Sequence, residues 1–526
     1  MAVSRGEPGT WRWLGFWDGG TLAEAATMAN LPTDDRTAAE LIHHQIRPDE
    51  MAYVPGDKQW FLWDGKHHRP DNSNQVGRVI IGFTHWYEQL LVAVHEHIRA
   101  QVMAARPGAG NDVIRRAVAA EIKIRGWEPM VKYGAKIRGA AGLAALRSYM
   151  MDVCGVGPDA MADRYPEHLN TDAGIIELLP SNGVSVWPHH PKARMSYLVA
   201  ASPRPWSQRP DEGCPMYASM LRRSVGGVED VYWYLVKALG YSLLGSNPLQ
   251  LVFFLTGPTA NGKSALLRVL STVLGQQLAY QAQPALVSAP GRHGARHPRH
   301  EATMRGKRLI VISETAAHLL IDEMQLKRLT GEESLAVELL YDKTMTDTMV
   351  SWVIFIANNE MPSLLHLDPA LRRRIIVIPM GPTIPEELRD STMVRRILDQ
   401  ERDGILSLMM WGCAAAMADG GAGLLVKPGL VEAKTAAYAA EQNSAAQWLA
   451  EMTVPNGAGP RVSGSECYQS YVDWGRAERD TPLLMRRQFY ATLAMVPGVQ
   501  SVGDENHVWF TGFELKDGIP DRWPGT

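Results

Sequence analysis

Residues 257–264, Gly-Pro-Thr-Ala-Asn-Gly-Lys-Ser, set two glycines, a lysine and a hydroxyl at the fixed positions of G-x-x-x-x-G-K-[ST]. At that spacing the backbone N–H groups of Gly257, Pro258 (which lends only its turn), Thr259, Ala260, Asn261 and Gly262 form a cradle for phosphate oxygens. Lys263 is then placed to neutralise the β- and γ-phosphates, and Ser264 to ligate Mg²⁺. The expected cofactors are ATP and Mg²⁺. An apolar run, Leu251 to Leu255, leads into the loop, and Leu266, Leu267, Leu270 and Val273 share one helical face after it. Strand, loop and helix are the setting such a motif needs.

Three further groups have the chemistry to complete a phosphate-cleaving site. Glu314 ends the apolar run of "KRLIVISET", where an acid holds Mg²⁺ through water or activates the attacking water. Asp322 and Glu323 are rivals, but they open a helix, where acids are favoured anyway. Asn358 and Asn359 close "WVIFIANNEMP"; an amide there reaches a γ-phosphate or its attacking water, although two asparagines before Pro362 equally suit a turn. Arg372, Arg373 and Arg374 stand directly before a buried-looking strand. Guanidinium groups are costly to hide, so they either stay solvated or meet an anion. In a ring of copies that anion is a neighbour's γ-phosphate.

The elements that must position these groups are legible as apolar runs. Strands are expected at 251–256, 308–313, 352–357 and 374–379, at spacings that suit an α/β nucleotide-binding sheet. Before them, residues 1–205 mix short aromatic strand-like pieces with a helical stretch from about 82 to 153, and a Pro-rich run closes the region. The expected division is 1–205 as an N-terminal α+β domain, 206–385 as the ATPase core, 386–438 as a helical segment and linker, and 439–526 as a terminal domain. That last unit reads as three helices followed by the pair "GVQSVG" and "HVWFTGFEL", the pattern of a winged helix.

The chain has 526 residues, 46% hydrophobic and 21% charged, with a net charge of -3, the balance of a soluble globular protein whose basic surface, if any, is local. Its four cysteines are scattered without a C-x-x-C, which argues against a disulfide framework or a cysteine zinc site. No run looks close to the roughly 18 apolar residues of a membrane span. The expectation is therefore a cytoplasmic protein, the host's cytoplasm if phage-encoded, without a membrane partner. Adjacent histidines at 43–44, 67–68 and 189–190 would point to opposite faces of a strand, a poor geometry for a shared metal.

The order of these blocks resembles the superfamily 3 helicases, a branch of the AAA+ ATPases, and more closely the phage/plasmid primase–helicase family with its poxvirus-type members. "NPLQLVFFLTGPTANGKSALLRVLSTVLG" is similar to that family's phosphate-loop block, and "MRGKRLIVISE" to the lead into its acid, which falls on Glu314. "LKRLTGEE" looks like its K-x-L-T-G-G-D signature, "ANNEMP" like its sensor block with the sensor at Asn359, and "RRRIIVIP" like its R-R-I block. The resemblance thus makes Arg373 and Arg374 the finger candidates. "WFLWDGKHHRPD" and "LNTDAGIIEL" resemble its helicase-associated domain. The signature departs from the family at Glu332 and Glu333, Glu338 stands where an arginine is usual, and Asn358 where threonine is common.

The resemblance implies an AAA+ core, a homo-hexameric ring and movement on single-stranded or forked DNA powered by ATP hydrolysis between subunits. "AVELLYDKTMTDTMVSW" reads as a hairpin with its turn near 342–346, and in such rings the hairpin grips DNA, which nominates Lys343 and Tyr341. Arg486 and Arg487 open a plausible recognition helix in the terminal unit. There is no D-x-D pair or cysteine cluster for primer synthesis, so a separate primase or other replication proteins are the expected partners. Two other functions fit the same motifs: an AAA+ ATPase that remodels or loads a protein, and an origin-binding protein with a structural ATP site.

Overall fold

The computed structural model describes residues 31–46, 48–157, 160–161, 165–179, 185–203, 209–289, 299–313, 319–332, 334–338, 345–364, 367–457, 459–477, 483–496, 498–503 and 508–516. Near its start lies a helical layer: α1 (Asp35–Ile46), α2 (Gln75–Ala105), α3 (Asn111–Ile124), α4 (Glu128–Ile137) and α5 (Ala140–Val153). Their apolar faces, with Ile42, Val79, Phe83, Tyr87, Ile114, Val118, Tyr133, Ile137 and Leu146, close on one another and on a short antiparallel sheet of Met51–Val54, Gln59–Trp63 and His68–Pro70. His43 and His44 sit on α1 rather than on a strand, and His68 is a core residue whose Nε2 lies 2.8 Å from the Asp49 carbonyl oxygen.

The middle of the chain is an α/β unit. Helices α6 (Pro215–Ser224) and α7 (Glu229–Tyr241) precede a five-stranded sheet, β1 (Val252–Thr256), β2 (Ala279–Ala282), β3 (Leu309–Ser313), β4 (Val353–Asn358) and β5 (Ile375–Pro379). The spatial order is β5-β1-β4-β3-β2 and every pairing is parallel. Parallel strands are covered on both faces, so they read as continuous apolar runs. The alternation shows only in what each side chain meets. Phe253, Leu255, Val311, Phe355 and Ile376 join the core beneath α6, α7 and α8 (Lys263–Leu274). Val252, Phe254, Ile310, Ile354 and Val377 join the opposite core with Leu326 and Leu329 of α9 (Glu323–Thr330), Trp352 and Tyr438.

The four expected strands are all present, within a residue of their expected ends; β2 went unforeseen because "AYQA" is a short edge strand with two polar positions. The expected hairpin is also present, Leu335–Glu338 against Met345–Thr348, and its connection lies outside the described residues. A one-turn helix, α10 (Pro369–Arg372), leads into β5. After the sheet come α11 (Met393–Gln400), α12 (Arg402–Leu425) and α13 (Gly429–Glu441). The last unit holds α14 (Ser444–Met452), α15 (Gly464–Ala477) and α16 (Arg486–Leu493) over a core of Trp448, Tyr471, Phe489 and Phe510, with strands Gln500–Gly503 and Val508–Thr511 paired antiparallel.

Two expectations change. Residues 169–201 do not form one core with the helices before them. Leu169, Ile176, Tyr197 and Val199 share the core that also holds α6, α7 and α12, so the small antiparallel sheet of His168–Thr171, Gly174–Glu177 and Val186–Trp187 and the helices after β5 belong to the α/β body. Secondly, α12 is long and apolar enough to span a membrane by length and composition. Here it packs against α7, with Gly240 facing Met409 and Gly412 facing Val236 across the contact, and its helix is broken at 418–421, where Asp419, Gly420 and Gly421 have φ of 50°, 70° and 97°.

Candidate functional site

A parallel sheet presents its binding crevice at the carboxyl ends of its strands, where successive connections leave in opposite directions. From β1 the chain runs out to β2 at the far edge, returns through β3 and β4, then passes over β1 to β5. The crevice therefore opens at Thr256, where residues 257–264 begin.

The loop's shape needs its glycines. Gly262 has φ 96°, and a Cβ there would lie 2.8 Å from Ser224 Oγ. At Gly257 a Cβ would lie 2.8 Å from the Met380 carbonyl oxygen. Residues 380–384, which extend β5, brace the loop from outside. Met380 N–H donates to Thr256 O at 2.7 Å and Ile384 N–H to Ala260 O at 2.9 Å. The Thr383 hydroxyl donates to Thr259 O at 2.9 Å, and the buried Asn261 amide donates to Gly381 O at 3.2 Å. No motif announced this brace, because its bonds run mostly to main-chain atoms about 120 residues away in sequence.

Lys263 opens α8 and its ammonium is folded onto the loop, 2.7 Å from Gly257 O, 2.7 Å from Pro258 O and 3.0 Å from Asn261 Oδ1. Burial pulls its pKa down to about 8. A phosphate entering the loop offers that ammonium a stronger, charged acceptor. Ser264 is exposed and lines a cleft of about 780 Å³ with Arg268, Gln281, Gln283 and Ser313. Ser313 is the last residue of β3, so Glu314 follows directly from a wall of this cleft; Glu314 itself lies outside the described residues. On the loop's other side a cleft of about 460 Å³ is walled by Met216, Met220, Ala260, Gly262, Ile384 and Leu388. A flat apolar base suits the second cleft, and a hydrated cation with its acid suits the first. The described residues of the loop fit a nucleoside triphosphate, and Ser264 supplies a hydroxyl of the kind Mg²⁺ takes.

Asn358 pairs with Thr256 across β4 and β1, which brings the two asparagines to the loop's end of the sheet. Asn358 is buried and its Oδ1 accepts the Asn359 N–H at 2.9 Å, while Asn359 is exposed. The arginines lie at the other end. Arg374 O accepts the Val252 N–H at 2.9 Å, at the start of both β5 and β1. Arg374 is partly buried and donates to Lys327 O at 2.9 Å and Thr330 Oγ1 at 3.0 Å, closing the carboxyl end of α9. Arg373 is exposed and donates to Gln250 Oε1 at 3.0 Å; Arg372 is exposed. A strand rises about 3.3 Å per residue, so roughly 20 Å separates this turn from the loop.

Tyr341 and Lys343 lie outside the described residues. Arg486 stacks over Tyr468, its guanidinium carbon 5.2 Å from the ring centre. Arg487 is exposed and shares a cleft of about 510 Å³ with Arg372, Asn443 and Met495, so this end of α16 lies beside the arginine turn. Arg308 was a motif position whose role the sequence hid. It is fully buried, and its guanidinium donates to Leu243 O, to Tyr165 O at 3.2 Å, to His168 O at 2.5 Å and to Tyr197 Oη at 3.0 Å.

Fold and loop together define a mixed α/β protein with a parallel sheet, compatible with a P-loop-like core. No family model matches the chain. In sequence it is 22% identical over 256 residues to "Putative helicase 022R" of Frog virus 3 (isolate Goorha), an alignment covering 46% of this chain and 26% of that protein. The chain thus spans about a quarter of the length of the curated relative it matches. Among solved structures it is similar to an A-form apo structure of the NrS-1 C-terminal region, with TM-score 0.35 and 13% identity over 60% of this chain and 77% of that one. A second apo structure of the same region gives TM-score 0.34 at 12% identity, with the same coverage.

Proposed function

We propose that this chain is an ATP-dependent, ring-forming DNA helicase of the phage/plasmid replication type, translocating on single-stranded DNA as a homo-hexamer. One observation carries the reading. The phosphate loop and the exposed arginines occupy opposite ends of the same sheet, so the two halves of a complete ATP site meet only between copies. The distant sequence similarity to a viral protein described as a helicase supports DNA as the track.

In this reading the loop N–H groups and Lys263 hold the β- and γ-phosphates, and the base lies against Met216, Met220 and Ile384. Ser264 and Glu314 would hold Mg²⁺, which would supply charge neutralisation on the phosphates. β4 separates β3 from β1, so Glu314 follows a strand two spacings, roughly 9.6 Å, from the loop strand. Glu314 would activate the attacking water, with Asn359, just past the end of β4, to orient it. The neighbour's Arg373, with Arg372, meets the charge that develops on the transferred phosphoryl group, while Arg374 is occupied within its own chain. The hairpin leads into β4, and Lys343 and Tyr341 in its connection grip the DNA backbone.

Mixing two inactive proteins tests the shared site. Lys263→Ala and the double variant Arg372→Ala/Arg373→Ala each lose DNA-stimulated ATP turnover, by about 10³-fold or more for the arginine pair. Mixed, they recover a measurable fraction, because some junctions pair an intact loop with an intact arginine turn. A mixture that stays inactive defeats the shared site. Turnover that ignores DNA and responds to a protein establishes the remodelling function instead.

A further inference from the structure

The chain carries 53 Lys and Arg against 56 Asp and Glu, yet residues 99–147 hold ten Lys and Arg and only three Asp and Glu. This stretch is net +7 and the remainder net −10. It forms the end of α2 together with α3, α4 and the start of α5. Four of its cations have carboxylate partners: Arg115 with Asp112, Arg125 with Glu121, Lys136 with Asp35 and Arg138 with Glu88. The other six, Arg99, Arg106, Arg116, Lys123, Lys132 and Arg147, are exposed and have no ion pair among the described residues. Their placement is ordered by the helices. Ile114, Ala117 and Val118 of α3 face the core, and Arg116 and Lys123, seven residues apart, form a stripe on the opposite side. On α4, Met130, Tyr133 and Ile137 face inward, while Lys132 and Lys136 lie one turn apart outside.

We propose that the outer surface of α3–α5, with the end of α2, is a second nucleic-acid contact, made to the phosphate backbone of duplex DNA. This rests on the reading of the chain as a DNA motor and gives it a grip outside the ring channel. A chain with a net negative charge gathers six unpaired cations on one layer at a cost in self-repulsion, which an array of phosphates relieves. Duplex fits better than single strand. The cations are spread over four helices and the α2–α3 turn, and duplex DNA supplies phosphates on two strands across such a width. A bare single strand would be held by a row of aromatic rings, and the exposed face of α3 and α4 presents cations rather than rings. An anionic membrane fits less well: the main apolar faces of α3–α5 are spent in the core, which leaves Val113, Ile124, Val131 and Tyr149 as single exposed apolar side chains on three helices.

The test is the triple variant Arg116→Gln/Lys123→Gln/Lys132→Gln in the full chain, all three side chains being exposed and away from the core. Binding of a blunt 30-base-pair duplex without nucleotide is followed by fluorescence anisotropy as a function of salt. Each backbone contact contributes about 0.9 to the slope of log affinity against log salt, so the triple should lose about two to three units of slope. Its affinity at 0.1 M salt should fall at least tenfold, while ATP turnover without DNA stays unchanged. Equal affinity and slope in triple and parent overturn the proposal. So does a triple that loses binding to phosphatidylserine vesicles but keeps the duplex, which would assign the surface to lipid. Since binding here needs no turnover, a protein that fails to unwind yet loses duplex affinity in the triple defeats the motor and keeps this contact.

Discussion

Lys263 is the residue on which the proposed phosphate site turns, and its surroundings give it a pH signature. Burial holds its pKa near 8, below the usual lysine value of 10.5, and phosphate recognises only the ammonium form. Below pH 8 the free protein carries that proton, so nucleotide affinity should be flat. Above it the proton must be taken up on binding, and affinity should fall by up to about tenfold per pH unit. Titrating a fluorescent ATP analogue from pH 7 to 9.5 checks this; Lys263→Met should bind weakly with no break near 8. The three arginines show what sequence alone leaves undecided. Arg372, Arg373 and Arg374 are chemically identical in a row, and only their surroundings separate the one that closes α9 from the two that stay exposed.

Among the elements, β5 joins the two halves of the proposed site. Its first residues follow the arginines, and its extension, 380–384, braces the phosphate loop by four hydrogen bonds. Gly381 makes the brace fit, since a Cβ there would lie 2.5 Å from Gly226 N and 3.1 Å from Arg223 O, both main-chain atoms that cannot swing aside. Gly381→Ala should displace the brace and weaken ATP binding about tenfold, or ~1.4 kcal/mol, measured by calorimetry, with the secondary structure unchanged. The phosphate loop, four of the five strands and the hairpin were legible in sequence, because continuous apolar runs and fixed motif spacings encode them locally. The brace was not: its contacts join residues far apart through carbonyls that every residue type possesses. The basic layer was legible as a charge count over residues 99–147, but the overall balance of -3 concealed it.

Across the whole molecule, Arg308 ties the sheet around His168 to the α/β body. Its guanidinium reaches Leu243, just after α7, and His168 of that sheet with Tyr165 and Tyr197 from the segments flanking it. Sequence placed residues 169–201 with the N-terminal helices because they read as short strands, and nothing local marks a buried cation as their anchor. Removing it leaves several buried carbonyls without a donor, so Arg308→Ala should destabilise the protein by about 3–5 kcal/mol. Thermal unfolding should shift down accordingly, and proteolysis should begin around 165–203.

The roughly 20 Å between the glycine cradle and the exposed guanidinium groups also bears on the economy of the cell that makes this chain. On the proposed shared site, a newly synthesised copy would hold fuel without a way to burn it, so scarce or orphaned copies would leave the ATP pool untouched. Consumption would begin with company, and dilution alone would shut the engine off.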